Sequence, residues 1–166
     1  MTANPYTASH SGQFHHIISL LGDGWDEEYN TVLPGTVASA TREAVSRYSN
    51  KRIIAHFIQP HLPAIGPMRH ELPGKDFHPA ESANADLPEV LPTWSSLRFG
   101  TNNVTVKKVR RAHLENLERV LDIAEPLAKE LPGKTVITAD HGELFGERLW
   151  PIPVRGWMHP SGVRIE

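Results

Sequence analysis

The chain has 166 residues, a net charge of −2 and no cysteine. With 39% apolar residues it can bury one core, so we expect a single domain spanning 1–166. The mixed charge indicates no nucleic-acid partner, and the missing cysteines exclude disulfides and thiolate metal sites. No signal peptide or long apolar run is visible, which predicts a soluble, cytoplasmic protein with no membrane partner.

The first half of the chain contains two apolar runs and one helical pattern. Residues 14–21 form either a strand or one buried turn of helix. Pro34 begins a helix whose buried face steps by three and four residues. The members of that face are Val37, Thr41, Ala44, Val45 and Tyr48. Residues 52–58 have the composition of a buried strand. His56 within this strand is more typical of a core residue than of a ligand, and His15 and His16 are typical of surface or packing residues.

Prolines dominate the middle of the chain. Seven of the 14 prolines lie between residues 59 and 92, which predicts a long proline-rich loop over 59–103. A second, longer helix should follow, with one apolar stripe. The stripe comprises Val106, Val109, His113, Leu117, Val120, Leu121, Ala124, Leu127 or Ala128, and Leu131. Pro126 should kink or interrupt this helix, and Leu131-Pro132-Gly133 should end it.

The β-branched run at 135–139 reads as a buried strand that ends at Asp140 and His141. The order helix, strand, loop, helix, strand predicts an α/β fold with a mostly parallel sheet flanked by helices. Ligands gather at the carboxyl ends of such strands, so we expect Asp140, His141 and His61 in one crevice that holds a metal or an anion. Glu143 would either favour the N-terminus of the following turn or hold a ligand imidazole in the correct tautomer. In the alternative interpretation, Asp140 caps the next turn and His141 is solvated.

Three motifs resemble segments of the sulfatase and alkaline-phosphatase superfamily. Residues 138–147, Thr-Ala-Asp-His-Gly-Glu-Leu-Phe-Gly-Glu, resemble its metal-binding segment. Pro60-His61-Leu62-Pro63 resembles the loop that places a histidine near the ester, and Met158-His159-Pro160 resembles a later Gly-His-Pro motif. The motifs occur in the family's order and span roughly residues 50 to 160.

The resemblance implies a metal-dependent hydrolase that acts on a sulfate or phosphate ester of a small molecule or glycan. Asp140 and His141 would bind a divalent metal ion (zinc, manganese or calcium). His61 and His159 would be catalytic, binding the anionic group or protonating the leaving oxygen.

The family's nucleophile motif is missing from this sequence, because no Ser-x-Pro-x-Arg occurs and cysteine is absent. We therefore expect a fragment without the N-terminal nucleophile region, inactive by itself. Two alternatives remain open, a non-catalytic metal- or anion-binding remnant and a phosphomutase-type member of the superfamily. Missing sheet neighbours would also favour self-association.

Overall fold

A computed structural model describes residues 1–4, 7, 12–73, 92–148, 151 and 155–158, the side chain of Met158 excepted. The helices are α1 (Pro34–Arg47), a 3₁₀ helix (Pro67–Glu71), α2 (Pro92–Phe99) and α3 (Val106–Glu130). The strands are β1 (Trp25–Asp26), β2 (Thr31–Val32), β3 (Leu144–Arg148) and β4 (Arg155–Met158). β1 pairs with β2 and β3 with β4, both antiparallel. None of the described helices is long and apolar enough to cross a membrane.

The predicted mostly parallel sheet is wrong, because the described residues contain only two small antiparallel sheets. Residues 14–21, 52–58 and 135–139 form no regular strand. Val136 is 81% exposed and Ile137 is 52% exposed, so the segment predicted as a buried strand is at the surface. β-branched composition favours an extended backbone, but a strand also needs a neighbour to accept its hydrogen bonds. No described segment pairs with 135–139.

The first residues of the chain lie between two of the predicted strands. Thr2 forms single parallel bridges with Ser19 and with His56. The amide of Thr2 donates to the carbonyl of Ile18 at 3.0 Å, and the amide of Leu20 donates to the carbonyl of Thr2 at 2.9 Å. These contacts bring the N-terminal segment against one of two core clusters. That cluster contains Ala3, Leu20, Val32 and Val37.

The helix predicted from Pro34 is confirmed over Pro34–Arg47. Proline suits the first helical position, because the amide at that position has no intrahelical partner. Val37, Thr41 and Ala44 of the predicted face are buried, whereas Val45 is half-buried and Tyr48 lies just after the end of the helix. The Thr41 hydroxyl donates to the carbonyl of Val37 at 2.7 Å, which satisfies this buried polar group inside the helix.

The long second helix is also confirmed, as α3. Thr105 caps its start, the side-chain oxygen accepting from the amide of Lys108 at 3.3 Å. The helix is not interrupted at Pro126 and continues to Glu130, just before the predicted stop. Its buried face differs from the predicted apolar stripe, because it includes the polar residues Glu115 and Asn116.

The predicted 59–103 loop contains both the 3₁₀ helix and α2, while residues 74–91 lie outside the described part of the chain. Trp94 and Leu97 of α2 are buried in the other core cluster with Val109 and Ala112 of α3. Leu62 from the beginning of the same loop packs into this cluster. The segment around His61 is therefore anchored to α3 rather than free at the surface.

Candidate metal centre

The loop that carries His61 is held by a single buried side chain. The Asn116 side-chain amide donates to the carbonyls of His61 at 2.9 Å, Pro63 at 3.0 Å and Pro60 at 3.4 Å. Its oxygen accepts from the amide of Ile65 at 2.8 Å. Asn116 is fully buried, so these bonds are shielded from competition by water. They fix the path of the backbone on both sides of His61.

A second contact between α3 and the same loop involves Glu115. Its carboxylate accepts from the amide of Met68 at 3.0 Å and from Arg111 Nε at 2.8 Å. A Cβ atom at Gly66 would lie 2.6 Å from Glu115 Oε2 and 2.8 Å from Glu115 Cβ. Only glycine permits this close approach, so Gly66 allows the loop to lie against α3.

The imidazoles of His61 and His141 meet although they are 80 residues apart in sequence. Their Nε2 atoms are 3.4 Å apart. His141 Nδ1 lies 2.9 Å from the carbonyl oxygen of Gly142. A carbonyl can only accept, so Nδ1 carries the proton, and in the neutral ring Nε2 presents its lone pair.

Glu143 lies beside Nδ1 of His61, as the Gly142 carbonyl lies beside Nδ1 of His141. Its Oε2 atom lies 3.3 Å from His61 Nδ1, and its side chain is only 6% exposed. A carboxylate at this position favours the proton on His61 Nδ1, while His61 Nε2 faces the ring of His141. The prediction that Glu143 orients an imidazole thus has a matching contact, and the imidazole is that of His61. The other oxygen, Oε1, is buried without a hydrogen-bond partner among the described residues.

Burial raises the pKa of Glu143 to about 7, and the nearby charge of His141 opposes this rise in part. Burial also disfavours the charged form of His56 and therefore lowers its pKa. The negative charge of Asp140 acts in the opposite direction. A cation beside Glu143 would favour its carboxylate form. The buried, half-satisfied carboxylate is therefore compatible with a neighbouring positive charge.

The predicted site residues are partly brought together. His61, His141 and Glu143 offer ligand atoms that lie within 4.8 Å of one another. Asp140 is more peripheral, since its Oδ1 atom lies 3.7 Å from His141 Nε2 and its side chain is 75% exposed. His159, predicted to be catalytic, lies outside the described residues. The sequence assigned His61 to catalysis, whereas the geometry places it among the possible metal ligands.

Comparisons with family models, curated proteins and solved structures find no significant match to this chain. The chemistry of the site therefore depends on its own geometry and on the motifs in the sequence. Two imidazole nitrogens with adjacent carboxylates form a donor set suited to zinc and to other first-row divalent metals. The set fits calcium less well, because calcium prefers six or more oxygen ligands.

Proposed function

We propose that His61 and His141 bind a zinc ion through their Nε2 atoms, and that this centre serves the hydrolysis of a sulfate or phosphate ester. The 3.4 Å separation of the two Nε2 atoms carries the proposal. Two nitrogens about 2.05 Å from a tetrahedral zinc ion lie about 3.3 Å apart. The histidines are therefore spaced as ligands of one ion would be, and little movement is needed to bind it.

The surroundings of the two rings support the same arrangement. Each Nδ1 atom faces an oxygen, Glu143 Oε2 for His61 and the Gly142 carbonyl for His141. Hydrogen bonds of this kind fix the tautomer and the orientation of ligand histidines. The two Nε2 atoms face each other at 3.4 Å, and a cation bound by both would replace this direct contact. Glu143 is thus the orienting carboxylate and Asp140 the additional ligand, close enough to reach the ion by a rotation of its exposed side chain.

A bound zinc ion would supply a Lewis acid that polarises the ester oxygens. Zinc is our first choice because it is readily bound by imidazole nitrogen. Manganese is the second, because the carboxylates next to the rings are oxygen ligands of the kind that it prefers. The ester substrate class is supported by the three sequence motifs. The role of His159 in binding or protonating the ester is a prediction from the same motifs. The cytoplasmic location and self-association are separate predictions from the sequence.

Zinc affinity tests the metal site directly. We expect His61→Ala and His141→Ala each to weaken zinc binding at least tenfold, measured by competition with a chromophoric chelator. Loss of an outer-sphere carboxylate typically weakens a zinc site by about 10- to 100-fold, so Glu143→Ala should have an effect in that range. His70→Ala is the matched control, because His70 is exposed and is not one of the three residues of the cluster. Zinc affinities equal to wild type in both histidine variants would refute the site, provided circular dichroism shows that they fold.

The metal ligands alone are not sufficient for the hydrolysis of an ester. Hydrolysis requires an activated nucleophile next to the metal, and the sequence lacks the family's nucleophile motif. We therefore expect the zinc-loaded chain by itself not to hydrolyse nitrophenyl phosphate or nitrophenyl sulfate at an enzyme-like rate. The missing motif also favours the second candidate, a non-catalytic metal-binding remnant. Zinc-dependent turnover that is lost in His141→Ala would exclude the remnant and contradict our expectation of inactivity.

A further inference from the structure

A cavity of about 180 Å³ lies between the N-terminal segment, the end of α1 and residues 51–56. His56 is on its wall, whereas His61, His141 and Glu143 are not among the residues that line it. The cavity is therefore a different site from the candidate metal centre, and it uses none of the residues assigned there.

The walls of this cavity are mainly apolar and aromatic. Phe14 and Ile54 line it and are 42% and 63% exposed, although large apolar side chains are normally covered. The ring of Tyr48 lies 6.0 Å from that of His15 and 5.7 Å from that of His16, measured between centroids. An engineered apolar cavity of about 150 Å³ holds one benzene molecule, so the available volume suits a single aromatic ring.

The charged side chains that line the described part of the cavity are basic, although the negative charge of Asp140 acts on His56 from outside the lining. Among the residues that the structure describes, those that line the cavity include no aspartate or glutamate, but they include Lys51, Arg52 and three histidines. Lys51 and Arg52 are exposed, and neither forms an ion pair within the described part of the chain. Two unpaired cations at the edge of an apolar cavity create a positive potential that favours an anionic group.

We propose that this cavity binds a single aromatic ring carrying an anionic group, with the ring in the apolar interior and the anion near Lys51 and Arg52. Ring burial supplies the apolar contribution to affinity, and the two cations select for the charge. Binding requires no metal ion, so the proposal stands or falls independently of the proposed function.

The experiment uses the whole chain in EDTA, with phenyl phosphate as the probe and amide chemical shifts as the readout. We expect phenyl phosphate to bind at least fivefold more tightly than inorganic phosphate and than benzyl alcohol, which each present only one half of the ligand. The shifts should change at lining residues such as Ile18, Tyr48 and Ile54. Benzoate and phenyl sulfate, titrated separately, distinguish carboxylate, sulfate and phosphate as the anionic group.

Two sets of variants identify the site. Lys51→Glu combined with Arg52→Glu should weaken phenyl phosphate binding at least tenfold and leave benzyl alcohol binding within twofold. Lys129→Glu combined with Lys134→Glu makes the same change in net charge at exposed positions elsewhere and should have little effect. His61→Ala combined with His141→Ala should retain binding. Equal losses in the two charge-reversal pairs, or shifts confined to the neighbourhood of His61 and His141, would overturn the proposal.

Discussion

A single residue, Asn116, links the helical core to the candidate metal centre. Its amide is fully buried, and its partners lie on both sides of His61. Apolar side chains could fill the same space, but they could not fix the orientation of four backbone groups. We infer that Asn116 determines where the His61 imidazole is presented.

Asn116→Ala should lower the free energy of unfolding by about 3 kcal/mol, because it leaves several buried backbone groups without partners. We also expect weaker zinc binding, since the loop around His61 loses its anchor. Urea denaturation measures the first effect and chelator competition the second. Asn50→Ala, at an exposed position, is the control and should be close to wild type. A small stability loss in Asn116→Ala would mean that the loop is held by its apolar contacts and by Glu115, without a need for Asn116.

The contribution of Glu115 to the free energy of unfolding should depend on pH. Burial alone would raise its pKa, but hydrogen bonds from the amide of Met68 and from Arg111 outweigh burial, and the pKa lies below the ordinary value of 4.5. A carboxyl whose pKa is lowered by folding stabilises the folded state above its unfolded pKa, and this contribution is lost as the pH falls through the folded pKa.

Glu115→Gln should therefore be less stable than wild type at neutral pH, and the difference should shrink as the pH falls below the ordinary glutamate value. Urea denaturation at a series of pH values measures this difference. Glu118→Gln, which removes an exposed carboxylate on the same helix, is the matched control and should show a smaller change. A difference that does not vary with pH would argue against an ionised Glu115 in the folded protein.

Among the elements of the fold, α3 has the buried face that a helix requires, whereas the segment 134–139 has the composition of a buried strand but lies at the surface. The helix buries Leu127 almost completely, while the β-branched segment that follows leaves Val136 exposed. A helix satisfies its own backbone groups, so its pattern is sufficient to predict it. A strand forms only where a second segment pairs with it, and the residues of the strand do not show which segment that is.

Because Leu127 is buried and Val136 is exposed, replacing each by alanine should affect stability differently. Leu127→Ala should lower the free energy of unfolding by about 3 kcal/mol, because it leaves a cavity in the core. Val136→Ala should change it by less than about 0.5 kcal/mol, since an exposed side chain loses few contacts. Thermal or urea unfolding of both variants provides the comparison. A loss of several kcal/mol in Val136→Ala would show that residues 134–139 are paired and buried in solution.

At the scale of the whole molecule, the described chain has two apolar clusters rather than one sheet-centred core. One lies around Ala3, Val32 and α1, and the other lies between α2, α3 and the loop after His61. Arg42 of α1 and Glu130 of α3 form an ion pair between the two helices. That pair is exposed, so it contributes little to stability compared with apolar packing.

Both long helices could be predicted without the structure, because their periodicity, the proline at position 34 and the Leu131-Pro132-Gly133 stop are local signals. The sequence also indicated His61, His141 and Glu143, whose ligand atoms lie close together, since these residues belong to motifs with chemical meaning. Tertiary structure alone decided that the predicted strands do not form a parallel sheet, because strand pairing depends on distant neighbours. It also decided that the two Nε2 atoms face each other and that Asn116 and Glu115 hold the His61 loop. These contacts join residues at least 47 positions apart, and no local pattern encodes such a distance.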